Sequence, residues 1–280
     1  MAIWSADAVL PVKKLRERLG CLEGLSFLWL EITRRCNLTC DHCYVSSGPG
    51  LPLTEGMRFE DWCRVMDDAR AAGCRRVQFI GGEPTIHPDL PRLLEHATDA
   101  GFKQIEVFTN ATLLRDDLVE TFRRLRVLVH FSFYSSDRAF HDRLTGQPGS
   151  FDRTVAGITQ LVARRVQIAA GIIRISDDRR QLKDTRRFLK GLGVRTILAD
   201  RVRGIGRGRQ LVPGVPLRKE LCGACWRGKL CIDAAGHARP CVFARDVSVG
   251  NVRDDGLGAV VRGARLRAFR REMFMGEQGG

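Results

Sequence analysis

The chain has 280 residues, 44% of them hydrophobic, enough to bury one large core, or one plus a small appendage, without disulfide support. Its 46 Lys and Arg against 32 Asp and Glu give a formal charge of +14, scattered through pairs such as Arg75-Arg76 and Arg186-Arg187. No basic stripe interleaved with aromatics is present, so nucleic acid is not an expected partner and the charge reads as a solvated surface that attracts acidic partners. No apolar run reaches the ~18 residues of a bilayer span and no signal-peptide order precedes Lys13-Lys14, so the chain is expected to be cytoplasmic, with no membrane partner, and its clustered cysteines point to metal, not disulfides.

Residues 1–24 read as a helical preamble, short for a fused peptide-binding domain. Residues 25–200 alternate strands and helices. Strands are predicted at Phe27–Thr33, Arg76–Ile80, Gln104–Thr109, Val127–Phe133, Val166–Ile175 and Val194–Ala199. Helices are predicted at Phe59–Ala72, Pro88–Ala100, Asp116–Leu125, Phe151–Ala163 and Arg179–Leu192. Gly73, Gly101 and Gly193 follow three of the helices, Thr54 precedes the first helix, and Asp116 and Ser150 open later ones as capping types. Six strands, fewer than a closed barrel's eight, predict an α/β fold built as a partial (β/α)6 TIM-like barrel with its functional face at the carboxyl ends of the strands. Residues 201–220, rich in Gly and Pro, read as a linker. Residues 221–280 form a small cysteine-rich segment with a hairpin of Gly228–Asp233 and Ala238–Phe243 and a closing helix at Leu257–Phe269.

Cys36, Cys40 and Cys43 follow the first strand on a short loop. Iron–sulfur clusters normally take four cysteines, so three leave one iron open to an outside ligand. Zinc would need a fourth ligand, and His42, between two of the cysteines, is badly placed to supply it. The spacing Cys36-x3-Cys40-x2-Cys43 resembles the signature of the radical S-adenosylmethionine (SAM) superfamily. The resemblance implies a 4Fe–4S cluster on these cysteines, SAM at the open iron, and His42 beside the adenine. Gly81-Gly82-Glu83-Pro84 resembles the family's GGEP motif, whose backbone and carboxylate meet the SAM amino group. Glycine permits close backbone approach, and a carboxylate suits an ammonium. Asn110, Ser132 and Arg143 resemble the ribose- and carboxylate-contacting positions of the peptide-modifying branch.

Cys222, Cys225, Cys231 and Cys241 could fill a zinc site or a second cluster by spacing alone. The Gly236-x4-Cys241 pattern after Cys222-x2-Cys225, followed by Val249-Gly250-Asn251-Val252, resembles the SPASM/twitch extension of the same superfamily. Four cysteines, where a full extension has seven, imply one auxiliary 4Fe–4S cluster. Cys231 is either its fourth ligand or a free thiol returning a hydrogen atom to substrate. Cys63, Cys74, His87 and His130 read as structural side chains.

The resemblance implies reductive cleavage of SAM to a 5′-deoxyadenosyl radical and hydrogen abstraction from a natural product, with epimerisation, oxidation or cross-linking as the outcome. The substrate is either a ribosomal peptide or a small molecule such as an aminoglycoside-type sugar. A polycationic sugar would need carboxylates such as Glu31, Asp200 or Asp233 in the pocket. An acidic electron donor such as flavodoxin or ferredoxin is the expected protein partner. The competing reading is a non-catalytic zinc or iron–sulfur module binding nucleic acid through its charge.

Overall fold

The computed structural model describes residues 24–278. Cys21 and the expected preamble, save its last residue, lie outside them. Six strands, β1 (Phe27–Thr33), β2 (Arg76–Gly81), β3 (Gln104–Thr109), β4 (Leu128–Phe133), β5 (Gln167–Arg174) and β6 (Thr196–Arg201), pair in parallel, each beside the next. The crossovers carry α1 (Phe59–Ala71), α2 (Leu90–Asp99), α3 (Asp116–Arg124), α4 (Arg138–Thr145), α5 (Ser150–Ala163) and α6 (Arg179–Gly191). The sheet does not close, so the barrel is partial.

Successive strand residues point to opposite faces. Leu28, Leu30, Ile32, Val77, Phe79 and Val107 are buried outward under the helices, while Trp29, Gln78, Phe108 and His130 face the enclosed side. The helices answer with apolar stripes at helical spacing. Trp62, Val65, Met66 and Ala69 come from α1, and Leu90, Leu93, Leu94 and Ala97 from α2. Burying each large side chain of this kind contributes about 1.5–3 kcal/mol.

Four local features differ from the sequence expectation. Helix α4 lies where a loop was expected. It is short, but Asp137 caps it by accepting from the Phe140 amide at 3.0 Å and Gly146, at φ 65°, ends it. The first residue of α1 follows an Arg58 cap, four residues beyond Thr54; there the Asp61 carboxylate accepts from the Arg58 amide at 3.0 Å. Asp116 and Ser150 are first helical residues, not caps, and the α5 amino end is satisfied by Asp142, which accepts from the Gly149 and Phe151 amides at 2.7 and 2.8 Å. Residues 201–220 are folded: they hold a 3₁₀ turn at Gly206–Gln210 and the short α7 (Leu217–Glu220), and Arg201 pairs with the buried Glu220 at 2.9 Å.

The cysteine-rich segment joins the same sheet. β7 (Lys229–Ile232) runs parallel to β1, with Trp29 opposite Cys231, and continues antiparallel into β8 (His237–Arg239) and β9 (Gly250–Asn251). The expected closing helix is divided at Gly263, after α8 (Val252–Asp255), into α9 (Leu257–Arg262) and α10 (Ala264–Gln278). Among the described residues no helix is long and apolar enough to cross a membrane.

One ion pair ties β1 to the loop that follows β8. Arg245 Nη1 donates to both oxygens of the fully buried Glu31 at 2.8 and 2.7 Å. Removing one partner leaves a buried charge uncompensated, which costs about 3–5 kcal/mol. Arg245→Ala is therefore expected to lower stability by that amount in chemical denaturation, whereas removing a solvent-screened surface pair such as Arg115–Asp117 is expected to change it far less.

Candidate functional site

The carboxyl ends of β1 to β6 surround a cavity of about 390 Å3. Cys36, Cys40 and Cys43 line it, together with His42, Gly81, Gly82, Asn110 and Ser132. Eight of the eleven expected residues from the barrel thus converge on one space. Glu83, Pro84 and Arg143 do not line it.

The loop carrying the three thiols is pinned from several sides. The Thr39 and Asp41 amides donate at 3.1 and 3.0 Å to the Thr145 and Leu144 carbonyls, which the carboxyl end of α4 leaves free. The Cys36 amide donates to Gly48 at 3.2 Å, and Arg207 donates from its amide to the Cys43 carbonyl at 3.0 Å and from Nε to the Cys40 carbonyl at 2.8 Å. The sulfurs accept hydrogen bonds as thiolate ligands would: Leu38 N to Cys36 Sγ and Ser47 N to Cys43 Sγ, both 3.4 Å, with Asn110 Nδ2 at 3.8 Å from Cys36 Sγ. Burial pushes the Cys36 thiol well up and the Cys40 thiol up to about 12, so metal must displace protons there.

The donor set fits a cluster better than a single ion. Among the described residues no three His, Cys, Asp or Glu side chains converge as one metal ion requires. One zinc would draw every sulfur to about 2.3 Å. Three thiols spread around a roomy cavity suit a polynuclear group with one open corner. Buried polar atoms left without hydrogen-bond partners gather at the same wall: His42 Nδ1, Ser47 Oγ and Arg207 Nη2. Burial holds His42 down to about 4, so it is a neutral ring, packed on Tyr134 at 4.6 Å between centroids.

Glu83 lies beneath the cavity, fully buried. Its Oε1 accepts from the Thr85 amide at 3.0 Å, Thr85 Oγ1 at 2.7 Å and Thr109 Oγ1 at 2.6 Å, and its Oε2 from the Asn110 amide at 2.7 Å. Its carboxylate therefore locks the end of β2 to the end of β3. Asn110 in turn donates to Asn37 at 2.9 Å beside the cysteine loop. Pro84 starts the buried 3₁₀ turn that follows. Gly82 lets that turn pass the loop: a Cβ there would sit 2.2 Å from the Arg35 carbonyl oxygen.

Arg143 is exposed on α4, over the Phe140 ring at 5.3 Å, and not in the cavity. Arg201, Arg203 and Arg207 line the cavity from the segment expected to be a linker. Arg143→Ala is thus expected to change binding of the cavity's ligand less than about twofold, as for other exposed positions, with isothermal titration as the measurement.

The strands add residues that no motif marks. Trp29 Nε1 donates to Gln78 Oε1 at 2.9 Å, Gln78 Nε2 donates to Glu106 Oε2 at 2.6 Å, and His130 Nε2 stands 3.1 Å from the same oxygen. His130, expected to be structural, lines the cavity and stacks on Phe108 at 5.7 Å. Period-two alternation in the predicted strands was the signal that could have found these inward positions.

Of the carboxylates considered for a cationic substrate, Asp200 lines the cavity but pairs with Arg203 at 2.5 Å. Glu31 is held by Arg245, and Asp233 by Arg239 at 3.2 Å. The late cysteines lie behind a wall formed by Val242 and Phe243, with Tyr44 edge-on to Phe243 at 5.2 Å. The Cys225 thiol is hydrogen-bonded to the sulfurs of Cys222 and Cys241, which pushes it up and lowers both partners. Cys231 is fully buried in the same apolar group as Cys225 and Cys241 and does not line the cavity.

A family model described as the radical SAM superfamily matches residues 30–189, and a second, SPASM, described as an iron–sulfur cluster-binding domain, matches residues 222–278. The antilisterial bacteriocin subtilosin biosynthesis protein AlbA of Bacillus subtilis is 26% identical over 258 residues, covering 80% of this chain and 57% of its own. The AdoMet-dependent heme synthase of Methanosarcina barkeri is 34% identical over 132 residues, 47% of this chain and 37% of its own. This chain therefore spans about half the length, or less, of these curated relatives. Streptococcus suis SuiB bound to precursor peptide SuiA shares the fold, with a TM-score of 0.75 at 16% identity over 96% of this chain and 74% of SuiB.

Proposed function

The chain belongs to the radical SAM superfamily, and on that premise we propose that it tailors a peptide, with Cys36, Cys40 and Cys43 holding the cluster and the cavity above them seating SAM. Membership brings a 4Fe–4S cluster and SAM, and the SPASM domain brings auxiliary iron–sulfur. Bound together, cluster and SAM supply a 5′-deoxyadenosyl radical able to take hydrogen from an unactivated carbon.

The observation that carries the reading is three thiols, and not four, on one pinned loop at a strand's carboxyl end facing a cavity. The chain's own work there is placement. Gly81 and Gly82 bring backbone to the cavity, Asn110 orients against Cys36, and His42, its ring inclined at 60° to that of Tyr134, offers a ring face to a purine. Val242 and Phe243 screen the cavity from water on the side of the late cysteines.

Two things support a peptide substrate. AlbA is a bacteriocin biosynthesis protein and SuiB binds a precursor peptide. The cavity's carboxylate is already neutralised by arginine, which suits a neutral or acidic segment better than a polycationic sugar. Cys222, Cys225, Cys231 and Cys241 are assigned to the auxiliary cluster. Because Cys231 is fully buried and does not line the cavity, the reading favours cross-linking or oxidation over thiol-assisted epimerisation. The net positive charge fits an acidic flavodoxin or ferredoxin as reductant.

Anaerobic reconstitution tests this reading. About eight irons per chain, a spin-resonance change on adding SAM, 5′-deoxyadenosine under strong reductant, and a candidate peptide losing two hydrogens are the expected results. Zinc in place of iron, with no nucleoside formed, overturns it.

A further inference from the structure

We propose that Arg207 is a positioning residue of the cluster loop that raises the reduction potential of the cluster bound there. The inference rests on the assignment of Cys36, Cys40 and Cys43 as ligands.

Arg207 belongs to the 3₁₀ turn after β6, more than 160 residues from the loop it touches, and the contact is built on both sides. Its amide donates to the Cys43 carbonyl at 3.0 Å and its Nε to the Cys40 carbonyl at 2.8 Å. Gly206 makes the approach possible: it sits at φ 59°, and a Cβ there would lie 2.5 Å from the Cys43 oxygen and 2.6 Å from the Tyr44 oxygen. Gly208 is equally crowded, its missing Cβ falling 2.2 Å from the Arg203 oxygen. The turn therefore lies flat on the segment between the second and third cysteines.

The guanidinium is fixed, and one of its nitrogens is left over. Arg207 Nη2 is buried without a hydrogen-bond partner and the residue lines the cavity. An unmatched buried donor is costly, so a turn built to keep one there has an acceptor that the polypeptide does not supply. The acceptor whose chemistry fits is sulfur of the anionic cluster. A cation and an N–H held beside it in a region of low dielectric stabilise the more negative, reduced form, since net charge and hydrogen bonds to sulfur set such potentials. Arg203, nearby, also keeps a buried Nε without a partner, but its charge is paired with Asp200 and it donates to the Glu220 carbonyl, so the cation at this wall that pairs with no carboxylate among the described residues is Arg207.

The test is a spin-resonance redox titration of the reconstituted full chain, without substrate, with iron content measured in parallel. Arg207→Gln is expected to keep its iron and to shift the oxidised-to-reduced ratio at a given applied potential at least tenfold towards oxidised, which is about 59 mV for one electron. Gly206→Ala, which lifts the turn while keeping the charge, is expected to shift it in the same direction. Arg207→Lys is expected to stay within threefold of the parent. An unmoved potential in Arg207→Gln with full iron overturns the inference, and if SAM affinity alone falls, the acceptor is the SAM carboxylate instead. If Arg207→Gln loses iron, Arg207→Lys decides: iron and potential retained supports the role of charge, and iron lost there too makes Arg207 a structural clamp only. A parent chain that holds no cluster overturns the ligand assignment itself, a different result from any of these.

Discussion

Cys40→Ala is expected to abolish 5′-deoxyadenosine formation in the reconstituted chain while leaving the fold intact. Removing a ligand should cost more than the about 10–100-fold loss that follows from disturbing a group behind one. The fold should survive because the loop is held by backbone. The Thr39 and Asp41 amides still reach α4, and the Cys40 and Cys43 carbonyls still accept from Arg207. Cys40 contributes a single small buried side chain. Nucleoside quantitation by chromatography, with circular dichroism as the control for folding, checks this. Nucleoside formation at a tenth of the parent rate or more would remove Cys40 from the cluster.

Glu83→Ala is expected to damage both stability and SAM binding. The carboxylate serves two amides and two hydroxyls in a fully buried position. Its loss leaves the Thr85 and Asn110 amides without acceptors, each worth about 1–3 kcal/mol. At about 2–4 °C per kcal/mol for a chain of this size, a fall of roughly 10 °C in melting temperature follows. Asn110 is released at the same time, and with it the contact to Cys36, so SAM affinity should fall at least tenfold in whatever remains folded. Glu83→Gln, which keeps one acceptor oxygen, should lie between. A melting temperature within 2 °C of the parent in Glu83→Ala would show that these donors find other partners.

Much of this arrangement is legible in the residues. β1 to β6 stand out because a parallel sheet covered by helices needs near-continuous apolar strands, and the thiol and glycine motifs fall at strand ends where a βα fold gathers its site. What is not legible has physical reasons. Helix α4 has too few apolar residues to show a period, and its cap and its terminal glycine carry it instead. Arg143 could not be placed because a sequence does not say which side of so short a helix looks inward. Glu83 reads as a ligand-facing carboxylate until its hydrogen bonds are seen to close around Thr85, Thr109 and Asn110. Arg207 and the Glu31–Arg245 pair depend on contacts between distant stretches of chain, which leave no local pattern.

Because β7 is hydrogen-bonded along β1, the gap between the two thiol groups is ruled by strand register and not by a hinge. A one-residue slip of β7 would turn Cys231 to the opposite face. Electron traffic between two redox centres decays steeply with separation, so the ladder joining these strands acts as the ruler for any such exchange.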